Sequence, residues 1–218
     1  MNMIDPETPA DRDARVRARE AEILGKPPRI APVDRASVAE EVQAATNKLR
    51  GGVVGDHAPL PLDVIPEIMF VMCRFPVLWD RIMALSLHLQ SETGALPVRD
   101  RQLAILRTAW LLQAPYEWGE HVRHSKACGL SDEEIERVIT GSAASGWTDH
   151  ERAILTACEE LRQDVFVSDA TWATLSESFD DTQMVELLVL IGQFTSVAYL
   201  QNSLRLRLEA KNVGLTAR

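Results

Sequence analysis

Residues 98–113 read VRDRQLAILRTAWLLQ, and the character of the fold turns on them. Beyond the first turn, apolar side chains fall on nearly every face of the helix that this spacing predicts, which marks a helix enclosed by protein rather than one lying on a surface. Such a helix needs neighbours on all sides, and the chain supplies helix signals in both directions. Upstream, Pro76 suits a helix start, and Leu78, Ile82, Leu85 and Leu89 recur at helical spacing until Gly94 and Pro97 close the segment. Before it lie an apolar stretch from Ile65 to Phe75 and a helical run from Asp34, a candidate N-cap, to Leu49, stopped by Gly51, Gly52 and Gly55. Downstream, Tyr116–Cys128 reads as a short helix with Gly129 at its C′ position. Ser131 with Glu134 predicts a capping box and a helix to about Ile139. Thr148 with Glu151 opens one to about Gln163, Ser168 caps another, and Asp180 with Gln183 begins the last long one. No stretch alternates apolar and polar residues between hairpin turns. The expectation is an all-α single domain of seven to nine helices over residues 34–210, with a charged, proline-punctuated arm at 1–33 and a tail at 211–218. The arm reads as a solvated segment or as a short helix laid over a neighbouring subunit.

The 218 residues carry 23 Lys+Arg against 32 Asp+Glu, a net charge of −9, and 46% are hydrophobic. That apolar share is enough for a core and argues against disorder. The acidic balance opposes attraction to nucleic acid and to anionic membrane, so small molecules or proteins are the expected partners. Cys73, Cys128 and Cys158 are odd in number and far apart, with no C-x-x-C pair and no zinc-ligand spacing, which suits a reducing compartment. The charged N-terminus has no signal-peptide core. Leu187–Leu204 is uncharged and long enough to span a bilayer, yet its Gln193, Thr195, Ser196, Gln201, Asn202 and Ser203 indicate a buried helix instead. A cytoplasmic location with no membrane partner is expected.

Chemistry concentrates in PYEWGEHVRH, residues 115–124. On a helix Glu117 and His121 are i and i+4, so their side chains meet, with His124 a further turn along the same side. A carboxylate beside an imidazole orients the ring and raises its pKa, giving a proton donor or acceptor near neutral pH. An ordinary ion pair fits the same spacing. Tyr116 and Trp118 flank the pair with aromatic surface. Arg107, alone among apolar neighbours, requires either a ligand or a buried carboxylate such as Glu186. Arg99 and Arg101 lie on the first turn of their helix, where cations oppose the helix dipole, and this points to an acidic partner or an anionic substrate. Trp110, Trp118, Trp147 and Trp172 read first as packing residues. His57, His88 and His150 have no partner that spacing reveals, and Cys128 reads as a small packing residue beside Gly129. No P-loop, dinucleotide fingerprint, metal box or nucleophile elbow is present.

Three blocks, PVRDRQLAILR at 97–107, YEWGEHV at 116–122 and GLSDEEI at 129–135, resemble in order and spacing the carboxymuconolactone decarboxylase family of the AhpD-like superfamily. The likeness extends to PRIAP at 28–32 and to the last helix with Glu186 and Asn202, covering roughly residues 28–208. It implies an all-helical fold assembled as a homotrimer or homohexamer. The peroxidase branch of the superfamily uses C-x-x-C-x-x-x-His, and that motif laid on His121 falls on Ala114 and Glu117, so disulfide exchange lacks both sulfurs. The decarboxylase branch carries Tyr-Glu-(Phe/Trp)-x-x-His, as here, and uses no metal or organic cofactor. By this resemblance the chain is a cofactor-free carboxy-lyase of aromatic-compound catabolism, acting on a small carboxylated lactone or related carbonyl compound. His121 is then the proton donor and Glu117 its orienting group. Arg101 or Arg107 grips a carboxylate or the lactone oxygen, and Gln102, Trp118 and Tyr116 contact substrate. A variant isomerase or hydrolase, or a non-catalytic oligomeric binding protein of the same fold, is the alternative. Where many family members have Glu after the motif arginine, this chain has Gln102, which takes no part in a proton relay. Gln102 and the insertion-like loop around 51–64 point to an altered pocket.

Overall fold

The structure, a computed structural model, describes residues 8–51 and 61–218. Among these there are ten α-helices and no strand: α1 Pro9–Ile23, α2 Ala39–Gly51, α3 Glu67–Met72, α4 Pro76–Gln90, α5 Val98–Leu111, α6 Pro115–Ala127, α7 Asp132–Thr140, α8 Asp149–Asp164, α9 Asp169–Ser176 and α10 Asp181–Leu204. The helix count exceeds the expected seven to nine because α1 forms inside the presumed arm and the apolar run after Ile65 is a separate short helix. His57 and most of the 51–64 loop lie outside the described residues.

Helix α5 is the axis of the molecule. Residues Asp100 to Trp110 are all buried, and α5 packs against α6, α7, α8 and α10. Leu103, Ile105 and Leu106 sit in one core with Trp118, Ile135, Ile154, Leu155 and Leu190. A second, smaller core gathers Val42, Ile65, Phe70, Val71 and Leu206 beneath α3. The three sequence-level capping boxes form: Ser131/Glu134, Thr148/Glu151 and Asp180/Gln183 each satisfy two helix-end donors reciprocally. Helix α10 is the one described helix long and apolar enough to cross a membrane, but Leu187, Leu190, Ile191, Phe194 and Ala198 pack in the core.

The chain ends are not loose appendages. Thr8 caps α1, Pro9 opens it, and Val16 and Ile23, seven residues apart on one face, are buried against the body. Arg12 pairs with Glu136 at 3.0 Å, and Glu20 accepts from the Leu215 amide at 2.7 Å. The solvated-arm reading therefore fails for α1, whose few apolar residues share a face. Residues 211–218, read as a tail, bury Asn212, Gly214, Leu215 and Ala217. Gly119 explains why this segment lies so close: a Cβ there would stand 1.9 Å from Asn212 Oδ1. Ahead of it, Arg207 binds Glu67 through its backbone amide and guanidinium, and Glu209 accepts from the Glu67 amide. Residues 205–218 thus form a strap across α3 and α6.

Candidate active site

The strap, α3, α4, α6 and α10 enclose a cavity of about 440 Å³. One face of α6 lines it with Glu117, Glu120, His121 and His124, at i, i+3, i+4 and i+7. Phe194, Val197 and Gln201 line it from α10 at i, i+3 and i+7, and Trp79, Ile82, Met83 and Ser86 from α4. Glu209, Lys211 and Asn212 come from the strap. The opposite face of α6 turns inward, with Trp118, Val122 and Ser125 buried.

At the head of the cavity, His121 and Glu117 are 4% and 3% exposed. His121 Nδ1 meets Gln102 Oε1 at 3.0 Å, and the Ser125 hydroxyl donates to the same oxygen at 3.2 Å. The carboxamide oxygen only accepts, so Nδ1 carries the ring proton and Nε2 presents its lone pair. Glu117 Oε2 lies 3.7 Å from that Nε2, and Glu117 Oε1 accepts from Gln201 Nε2 at 3.0 Å. The edge of Phe194 closes over the imidazole at 5.0 Å between ring centroids.

Burial governs the protonation of the pair. Desolvation, with the nearby Glu120 carboxylate adding to it, pushes Glu117 from 4.5 up to about 8. Desolvation also holds His121 well below 6.5, helped by His124, Arg123 and Arg101. The sequence expectation of a carboxylate raising the imidazole pKa is corrected here. With both groups out of water the neutral forms win, and one transferable proton resides on Glu117 beside an unprotonated Nε2. His124, part-exposed and edge-on to His121 at 5.4 Å, pairs with Glu120 at 3.3 Å.

Other expected site residues lie elsewhere. Arg107 binds Glu159, at 3.0 Å from Nε, and the carbonyls of Val138 and Ile139. Its partner is Glu159 and not Glu186, whose carboxylate takes the amides of Ala95 and Leu96. Arg101 donates to the carbonyls of Leu89 and Ser91. Neither arginine lines the cavity. Arg99 answers its acidic-partner expectation within the chain, binding Glu134 and Glu151. Trp118 is fully buried against Trp110 and donates to the Ala217 carbonyl, so it supports the strap and does not touch the cavity. Tyr116 does line it. Cys128 is exposed, against the packing reading, and Cys158 is buried with its thiol pushed up to about 12 by desolvation. No cysteine is among the lining residues. His150, without a partner by spacing, bridges Asp100 and Ser178.

Sequence reasoning missed Gln201 and Glu209 as wall residues. The signal for Gln201 was its place on the Phe194 face of α10, in a stretch from Leu187 to Leu204 that carries no charge. Glu209 left none, because the strap has no periodic pattern.

Residues 76–160 match the model of the Carboxymuconolactone decarboxylase family. No curated protein matches the chain significantly. Among solved structures, an alkylhydroperoxidase AhpD core, an uncharacterized peroxidase-related protein from Ralstonia eutropha JMP134, is similar with a TM-score of 0.70 at 14% identity, over 85% of this chain and 94% of that one. A protein of unknown function from Agrobacterium tumefaciens, described as a putative antioxidant defence protein AhpD, aligns with a TM-score of 0.57 at 24% identity, over 62% of this chain and 92% of that one. The debrominase Bmp8 in complex with 2,3,4-tribromopyrrole aligns with a TM-score of 0.67 at 12% identity, over 84% and 93%. The fold is therefore the AhpD-like helical fold. The chain's central segment, residues 76–160, resembles the Carboxymuconolactone decarboxylase family.

Proposed function

We propose that the protein is an enzyme that transfers a proton to or from carbon in a small cyclic carbonyl compound, of which decarboxylation of a carboxylated lactone is the leading case. The observation that carries this reading is the Glu117–His121 pair, buried at the head of a largely apolar cavity and holding one proton between an acid and a free imidazole lone pair. The match to the decarboxylase family supports the reaction class.

In decarboxylation, the C–C bond to the carboxylate breaks, CO2 leaves, and the electron pair moves into the conjugated carbonyl as an enolate. Glu117 then delivers its proton to carbon, and the resulting carboxylate is reprotonated from solvent by way of His124 and Glu120. This revises the expected roles, since Glu117 is the acid and His121 Nε2 the acceptor that holds it. A substrate carboxylate would meet Arg123 and Lys211 at the cavity wall, in place of Arg101 or Arg107. The thiol chemistry of a peroxidase finds no cysteine in the cavity wall.

The experiment is an NMR time course in D2O with γ-carboxymuconolactone and a panel of other carboxylated lactones. Carboxylate loss with deuterium entering the product, abolished in Glu117→Gln and reduced at least about a hundredfold in His121→Ala, is expected. The rate should fall as pH rises through about 8, where Glu117 loses its proton. Turnover unchanged in Glu117→Gln would remove the assignment. The homotrimer or homohexamer implied by the resemblance is part of the same proposal. Exposed Val77, Leu78 and Leu85 on α4 and Val185, Val189 and Tyr199 on α10 support it, and sedimentation equilibrium tests it.

A further inference from the structure

Acceptors and donors are unevenly distributed on the cavity wall. The arginines expected to hold an anion are committed to carbonyls and to Glu159, and the cations that do line the cavity, Arg123 and Lys211, are exposed. Arg123 is further paired with Glu120. Deeper in, Gln201 is 3% exposed, its Nε2 donates to Glu117 Oε1 at 3.0 Å, and its Oε1 has no hydrogen-bond partner. A buried carboxamide oxygen left without a donor is destabilising, and such atoms are rare in native proteins. Glu209, also on the wall, adds acceptor capacity. Around these groups the cavity is apolar, with Trp79, Ile82 and Phe194 supplying ring- and alkyl-sized contact.

An unpaired acceptor in the wall of an apolar cavity, shielded until the Gln201 side chain turns its oxygen toward a ligand, discriminates between ligands of equal shape, because only one bearing a donor satisfies it. We propose that the ligand of this cavity presents a hydrogen-bond donor, a hydroxyl, enol or ring N–H, to Gln201 Oε1, so that Gln201 bridges the ligand and the Glu117 carboxyl. The inference rests on the proposed site and narrows its substrate class to a small cyclic carbonyl compound, carboxylated or not, that also carries a donor close to the carbon that exchanges its proton. Gln201 is then a specificity-determining residue. It fixes the ligand's donor one carboxamide away from the proton on Glu117.

Binding to the full-length protein, followed by NMR titration with phenol, the isosteric toluene and benzoate, tests this without any turnover. Phenol should bind about tenfold more tightly than toluene, although an unassisted apolar cavity would prefer the toluene. Benzoate, an acceptor only, should bind more weakly than phenol. Gln201→Met should remove the preference for phenol while leaving toluene affinity within about twofold. A second readout in the unaltered protein is the Gln201 side-chain carbonyl resonance, which should shift with phenol and not with toluene. Phenol binding no tighter than toluene, including no detectable binding of either, overturns the proposal. So does benzoate binding tightest, or a preference that survives Gln201→Met. Silence across the lactone panel with the phenol preference intact would remove only the proton-transfer reading. Lactone turnover without that preference would remove only the role of Gln201.

Discussion

Nδ1 of His121 meets a neutral carboxamide oxygen at 3.0 Å, where a carboxylate would stand if residue 102 were Glu. A neutral acceptor fixes the tautomer but stabilises an imidazolium far less than a carboxylate would, so burial decides and the proton stays on Glu117. Gln102→Glu should therefore move the His121 titration up by about 1–3 pH units, read from the imidazole resonances in an NMR pH series. An unmoved titration would mean that Gln102 is not what orients the ring electrostatically. Arg107 shows the opposite case, a residue whose chemistry is spent on the fold. Its guanidinium satisfies Glu159 and two helix-end carbonyls at the end of α7, beside Gly141, where a Cβ would come within 2.3 Å of Nη2. Arg107→Met is expected to lower stability by about 3–5 kcal/mol by stranding Glu159 and those carbonyls, while turnover per folded molecule stays unchanged. Chemical denaturation together with active-site-normalised rates separates this from a substrate-binding role.

At the scale of elements, the helices whose ends carry their own chemistry were legible in the sequence. Ser131, Thr148 and Asp180 announce α7, α8 and α10 because an N-cap is a local event, complete within four residues. The α6 face was legible for the same reason, since i, i+4 spacing alone puts Glu117 and His121 together. What spacing cannot convey is what a long side chain reaches across the molecule, and so Arg107 found Glu159 rather than Glu186. Nor does it reveal a strap made of irregular chain. Gly119, on the inward face of α6, is the one residue that hints at it: only a missing side chain admits Asn212 and the Gly214 amide so near the helix. Gly119→Ala improves helix propensity by about 1 kcal/mol yet should destabilise the protein and loosen residues 207–218, which hydrogen exchange of the Gly214 and Leu215 amides would register. Since Asn212 and Glu209 belong to the cavity wall, phenol and lactone affinity should weaken together in that variant.

For the whole molecule, the proton shared between Glu117 and His121 leaves a signature in stability. The folded carboxyl titrates near 8 against 4.5 when unfolded, so its contribution is complete at low pH and is lost as pH rises through about 8. The imidazole runs the other way: its folded pKa lies below 6.5, so its contribution is complete above 6.5 and is lost as pH falls. Just below 6.5, and down to the lowered titration of His121, the folded pair holds one proton, on Glu117, and the unfolded pair also holds one, on His121, so the pair adds no slope. Between 6.5 and 8 the folded pair still holds its proton and the unfolded pair has none, so stability declines by about 1.4 kcal/mol per pH unit, roughly 2 kcal/mol in all. Glu209, raised to about 7 by burial, and His124, lowered by burial, also titrate nearby, so the comparison must cancel them. Glu117→Gln does so, because it keeps the shape and removes only this proton. Denaturant unfolding at pH 6.5 and pH 8 should show the variant gaining about 2 kcal/mol on the unaltered protein across that interval. A constant difference between the two proteins would place the proton elsewhere and with it the acid of the proposed reaction.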